Sequence, residues 1–85
     1  MTKNINQQIL RYDVVFQEAQ EGGYTAYVPA LVGCVSEGDN FEQAKENISE
    51  AILAYLESLG KDGQKIVEPA PAFMGAIDIN ANEIA

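Results

Sequence analysis

The chain contains no histidine and only one cysteine, Cys34, among its 85 residues. Both shortages exclude chemistry. A Cys/His nucleophile pair cannot be assembled, and neither can a metal centre built from Cys and His clusters. No intrachain disulfide is possible, so nothing requires an oxidising compartment. Cationic side chains are scarce as well: five Lys and Arg stand against 13 Asp and Glu, a formal net charge of −8. So acidic a surface repels phosphate backbones, which argues against direct nucleic-acid binding and makes a basic protein the complementary partner. Long apolar runs are missing too. Residues 1–8 are polar and lack the apolar centre of a signal peptide, and no segment reads as a membrane span. These absences lead to the expectation of a soluble cytoplasmic protein with a flexible N-terminus over residues 1–8.

What is present is one small domain, residues 1–85, with 47% hydrophobic residues, too many for a disordered chain. A domain of this size buries only roughly 60–65% of its unfolded surface, so association with another chain is a natural source of stability.

The central stretch runs from Glu21 to Asp39. Glu21, Gly22 and Gly23 supply a tight reversal, because glycine has no Cβ to clash at positive φ. Tyr24 to Val28 is aromatic and β-branched, as strands are. Pro29 cannot donate to a ladder and Gly33 tolerates unusual dihedrals, so a bend is expected between them. Cys34, Val35 and Ser36 resume an extended run. Nothing in this stretch pairs a nucleophile with a base. It is architecture.

Around it the periodicities predict four strands and one helix. In residues 9–19, Leu10, Tyr12, Val14 and Phe16 alternate with Arg11, Asp13, Val15 and Gln17, the period of a strand. The second strand is expected over residues 24–29 and a short third over residues 33–37. Asn40 is a good helix N-cap, with Gln43 placed to reach back to the Asn40 amide in a capping box. Phe41, Ala44, Ile48, Ala51, Ile52, Tyr55, Leu56 and Leu59 then recur at spacings of three and four, one apolar face. Glu42, Lys45, Glu46, Ser49 and Glu50 occupy the wet face, and Gly60 stands where a C′ glycine would. Residues 61–72 read as a proline-containing connector and residues 73–80 as a last strand. The result is an α+β, two-layer β-β-β-α-β domain with sheet order 3-2-1-4, the last strand parallel to the first after a right-handed crossover. Its second sheet face is left for another copy or a partner.

The same stretch resembles the HicB antitoxin family. That family's pattern has a Gly-Gly-Tyr turn, a Pro-x-Leu-Pro-Gly-Cys bend, a Gly-Asp-Thr helix start and a helix carrying Asn and Glu-Ala-Ile in register. The matches here are Gly22, Gly23, Tyr24, Ala26, Pro29, Leu31, Gly33, Cys34, Gly38, Ala44, Asn47, Glu50, Ala51, Ile52, Tyr55 and Leu56. They cover residues 9 to 60, the connector and last strand fitting more loosely. Val32 stands where the pattern has its second proline. The resemblance implies a degraded RNase H-like domain without nuclease activity. It also implies a partner, a HicA-like toxin, a small basic ribonuclease that cuts mRNA through a histidine. Many relatives carry a DNA-binding segment after this domain. None follows within these 85 residues, so operator binding is not expected of this chain.

Against that reading stand the bland ones. Cys34 is expected to be a small buried apolar residue rather than a reactive thiol. Asp13, Glu37, Asp39 and Glu50 could be imagined as RNase H-type metal ligands, but Asp13 alternates in phase with Arg11 and Gln17 as an exposed strand residue would. Tyr24 and Tyr27 point to opposite faces, Tyr24 toward the core and Tyr27 outward as an interface anchor. Glu18, Glu21, Glu37 and Asp39 flank strand ends, placed either to meet a basic toxin or to form a solvated rim. The expectation is therefore a protein with no catalytic residue, metal or cofactor of its own, which occludes a HicA-like toxin through Glu18, Glu21, Tyr27, Glu37 and Asp39 and self-associates as a dimer or higher oligomer. The alternative is an orphan HicB-like oligomeric interaction module without a toxin.

Overall fold

The structure, a computed structural model, describes residues 9–84; the expectation for residues 1–8 lies outside them. Three strands, β1 (Val15–Glu18), β2 (Tyr24–Tyr27) and β3 (Val35–Gly38), precede one long helix, α1 (Phe41–Lys61), and a single 3₁₀ turn at Ala81–Glu83. The strands lie in the order β1-β2-β3, antiparallel throughout. The helix packs on one face of this sheet, which makes an α+β domain of two layers.

Each strand is shorter than its periodicity suggested. β1 pairs through Val15↔Tyr27 and Glu18↔Tyr24, and residues 9–14 have no ladder partner because β2 ends at Tyr27. Past it the chain bends as Pro29 and Gly33 require. Val28 N–H still reaches the Cys34 carbonyl at 3.1 Å, and the intervening turn closes through Leu31 N–H to Val28 O and Cys34 N–H to Leu31 O. Gly33 takes φ +84°, the left-handed region. The bend folds Leu31 and Cys34 into the core. At the other end of the hairpin, Gly22 and Gly23 both have positive φ. Gly23 is fixed twice over, since a Cβ there would also sit 2.6 Å from the Gly38 carbonyl oxygen.

The sheet's helix-facing side carries Phe16, Ala26 and Ser36 in one cross-strand row, with Tyr24 and Gly38 in the next. Small residues here let the helix approach closely. A Cβ on Gly38 would lie 2.2 Å from the Ala44 backbone nitrogen, so the helix's first turns rest directly on β3. Ala26, Val28, Leu31, Cys34, Ala44 and Ile48 are buried, and Tyr12, Val14, Phe16, Ala51, Ile52, Tyr55 and Leu56 pack around them. The expected helical stripe thus does form the core, with one correction. Phe41 stays exposed at the rim, where its ring meets Phe16 at 4.7 Å and Tyr24 at 6.2 Å.

Both helix ends differ in detail from expectation. Asn40 Oδ1 accepts from Gln43 N–H at 2.8 Å, as a cap should. Gln43 Oε1, however, reaches past Asn40 to the Asp39 amide at 2.6 Å. The helix also runs through Gly60, and Gly63, at φ +74°, is the left-handed residue instead. Gln64 N–H bonds to Leu59 O and Gly63 N–H to Gly60 O, the paired bonds of a Schellman closure.

The larger correction concerns the last strand. Residues 64–80 have no regular secondary structure, and residues 73–80 are paired with nothing. Among the described residues the sheet therefore has three strands, and the order 3-2-1-4 is not completed. The connector does return to the outer side of the segment leading into β1: Tyr12 Oη–H donates to the Val67 carbonyl, and Ala72 N–H to Asp13 Oδ2 at 2.8 Å. Beyond Ala72 the chain leaves the domain, and Phe73 is 95% exposed and Ile77 86%.

Candidate functional site

Strand alternation opposes the helix-facing rows with a second set on the uncovered face. Val15, Tyr27 and Val35 align there as one cross-strand row, and Gln17, Thr25 and Glu37 as the next. The first row is apolar, with Tyr27 38% exposed and Val35 more so. The second is polar and leads to the hairpin end of the sheet. There Glu21, Glu37 and Asp39 line one open hollow of about 350 Å³, together with Tyr24, Thr25 and Gln43. Backbone contacts fix this rim. The Glu37 carbonyl accepts from Asn47 Nδ2 at 2.7 Å, which ties β3 to the helix. The Asp39 amide is held by Gln43, so the acidic turn before the helix has a set conformation.

The five residues expected to meet a partner are thus not all together. Glu21, Glu37 and Asp39 share the hollow. Tyr27 sits one row away from Glu37 on the same open face, in the middle strand. Glu18 ends the edge strand, where it pairs with Tyr24 and points to the helix side. All five are exposed. Tyr24 faces the helix and packs against Phe41, so the two tyrosines do occupy opposite faces.

Sequence reasoning missed Val15 and Val35 as Tyr27's neighbours. Alternation sets Val15 with Arg11, Asp13 and Gln17 on the open face, but the pairing register that places Val15 and Val35 beside Tyr27 is a long-range property.

Among the described residues, no three His, Cys, Asp or Glu side chains gather as metal ligands would. Of the imagined RNase H-type set, Asp13 is engaged by Ala72. Glu50 lies on the helix's exposed face. Cys34 is buried, and that burial pushes its thiol up from the ordinary value, which keeps it protonated and unreactive. No helix among the described residues is long and apolar enough to cross a membrane.

What this arrangement offers is a surface: an apolar strip centred on a tyrosine, bordered on one side by carboxylates. Protein interfaces have this anatomy, an aromatic-rich middle and a polar rim.

Residues 12–81 match the family model described as HicB-like antitoxin of bacterial toxin-antitoxin system. A UPF0150 protein from Synechocystis sp. is 48% identical over 59 residues, which cover 69% of this chain and 75% of that one. A UPF0150 protein from Thermoplasma acidophilum is 44% identical over 57 residues, 67% of this chain and 83% of its own length. Antitoxin HicB 1 of Photorhabdus laumondii is 30% identical over 70 residues, 82% of this chain but only 45% of that protein. The matched region holds the hairpin, the bend, the helix and the connector together, and on this ground the chain belongs to the HicB-like antitoxin family of bacterial toxin-antitoxin systems.

Proposed function

We propose that this chain acts by binding and covering a small basic toxin of the HicA type, without chemistry of its own. The observation that carries this reading is the open sheet face, where exposed Tyr27 lies in an apolar row beside Glu37, with Glu21 and Asp39 at the rim. Tyr27 is the anchor in the middle of the contact, and the carboxylates meet basic side chains around it. The net charge of −8 draws a cationic partner in and speeds encounter. Burying the toxin's catalytic histidine under this face blocks access of mRNA. The domain is a shortened RNase H-like unit working in the cytoplasm and associating with itself.

The test is co-expression with a HicA-type toxin and a growth-rescue readout. The chain restores growth, and binding measured with purified proteins weakens on raising salt from about 0.1 M to about 0.5 M, as screened charge pairs do. Tyr27→Ala lowers affinity at least roughly tenfold, in the range of an interface hot spot. Joint replacement of Glu21, Glu37 and Asp39 by the neutral amides mainly slows association. Unimpaired toxin in the presence of folded chain would refute the reading.

A second reading, an interaction module that works without a toxin, is favoured by one observation. Phe73, Met74, Ile77 and Ile79 stand exposed beyond Ala72, with no apolar surface covering them among the described residues.

A further inference from the structure

Residues 73–80 read Phe-Met-Gly-Ala-Ile-Asp-Ile-Asn. With a period of two, Phe73, Ile77 and Ile79 fall on one side and Met74, Asp78 and Asn80 on the other, the pattern of a strand with one buried face. Yet Phe73, Met74, Ile77 and Ile79 are all largely exposed. Three of them, Phe73, Ile77 and Ile79, share one side of the segment, and an exposed apolar row of this kind marks an interaction surface.

The fold also holds the complement. β1 is an edge strand, and among the described residues its outer side pairs with no other strand, leaving a row of N–H and C=O groups for one. Beside that edge lies an open groove of about 630 Å³, lined by Val15 and Phe16 of β1, Val14 before it, Tyr27 and Pro29, and on its far side by the first residues of the arm itself, Phe73 and Met74. Edge and groove together fit an added strand with apolar side chains.

The arm does not take this place in its own chain, and there is a local reason. Phe73 is already 95% exposed, and the Ala72 amide before it is bound by the Asp13 carboxylate rather than by a β1 carbonyl. Pro69 and Pro71 just before it supply no amides at all.

We propose that residues 73–80 of one copy add as a strand to the free β1 edge of a second copy, and that the second copy returns its own arm in the same way. Every chain carries both halves of the contact, so a two-fold exchange closes on itself and leaves no arm exposed. Two arms with the edges they cover reach on the order of the 1,200–2,000 Å² that a stable dimer buries. The like charge of two acidic chains does not oppose it locally, because residues 69–77 contain no charged side chain. This deepens the self-association included in the proposed function and does not depend on the toxin. It completes the sheet between copies, with the fourth strand borrowed.

The test uses the full chain. In a Cys34→Ala background, Asp78→Cys carries a spin label on unlabelled protein, which is mixed with ¹⁵N protein lacking the label. Sedimentation equilibrium gives a dimer that holds or tightens from about 0.1 M to about 1 M NaCl, the opposite of a charge-driven toxin complex. In the mixed dimer, the ¹⁵N amides of Val15, Phe16, Gln17 and Glu18 broaden. Ile77→Lys with Ile79→Lys raises the dimer Kd at least roughly 100-fold, while circular dichroism keeps the monomer's melting curve, since neither side chain packs in its own chain. A dimer whose β1 amides stay sharp overturns the exchange and leaves self-association by another face. In a separate sample of ¹⁵N protein that carries the label itself, a monomer with a broadened β1 edge overturns both, the arm then closing within the chain.

Discussion

The chain from Val15 to Lys61 and the chain after Gly63 are both rich in apolar side chains, but they do opposite things with them. In the first region Ile48 is 2% exposed; in the second, Ile77 is 86% exposed. The difference is one of closure. The hairpin and bend give β1, β2 and β3 a common face, and the helix returns across it directly after β3, so each apolar residue meets others already in place. The arm leaves the domain after Ala72, whose amide is taken by Asp13, and Ile77 and Ile79 stay exposed among the described residues. Hydrophobicity alone does not bury a residue; a surface must be waiting for it, and in the proposed exchange that surface is the edge of another copy.

The sharpest way to break this comparison is to make the same change in both regions. Ile48→Ala removes a buried side chain from between helix and sheet, and the expected loss is about 2–5 kcal/mol, enough to unfold much of so small a domain. Ile77→Ala at protein concentrations too low for association leaves the thermal midpoint unchanged within about 0.5 kcal/mol. At high concentration its midpoint falls below that of the unmodified chain, because only the associated form uses Ile77. Equal losses at low concentration would show that the arm packs within its own chain.

Close approach gives a second test confined to the compact region. Gly38 has no positive φ to excuse it; it is glycine because a Cβ would lie 2.2 Å from Ala44 nitrogen. Gly38→Ala therefore pushes the helix off the sheet, with an expected cost of about 1–3 kcal/mol and a melting midpoint lower by roughly 4–20 °C. At Gly22, where nothing stands within 4 Å, the same substitution meets only the strain of φ +102° and costs less. Smaller again is the cap. Asn40→Ala leaves the Gln43 amide without its acceptor, about 1 kcal/mol by thermal denaturation. Because Asn40 lies beside Asp39 and Gln43, this variant also loosens the acidic rim, and slower toxin association would accompany it.

Much of the compact region was legible because its signals are local. The glycine pair, the Pro29 to Gly33 bend, the Asn40 cap and the helical stripe each state a conformation within a few residues. The helix's end misled for a physical reason: Gly60 could take the left-handed position, but so could Gly63, and the closure at Gly63 secures the Leu59 and Gly60 carbonyls. Residues 73–80 were legible as a strand pattern and not as an unpaired one, since periodicity states which face is apolar and says nothing of where the partner strand lies. The candidate surface divided in the same way. Tyr27's outward direction follows from alternation, whereas its place beside Val15 and Val35 depends on register across three strands.

The smallest expected effect lies where the two regions touch. Tyr12 donates its phenolic proton to the Val67 carbonyl and so helps hold the connector against the domain. Burial raises its pKa above the ordinary value near 10, and the Glu68 carboxylate raises it further. The sign follows from linkage: a proton held more tightly in the docked state contributes fully below the undocked pKa and is lost as pH rises through the higher, docked one. Of the four tyrosines, Tyr12 thus deprotonates above its free value in an absorbance titration, and the Val67 methyl resonances shift toward mobile-chain positions over the same interval. Tyr12→Phe produces that methyl shift already at neutral pH, with a melting midpoint changed by no more than about 2 °C, because the core beneath does not use the hydroxyl. Should the variant instead lower the midpoint as far as Gly38→Ala does, the connector belongs to the compact region, and the boundary between the two moves from Gly63 to Ala72.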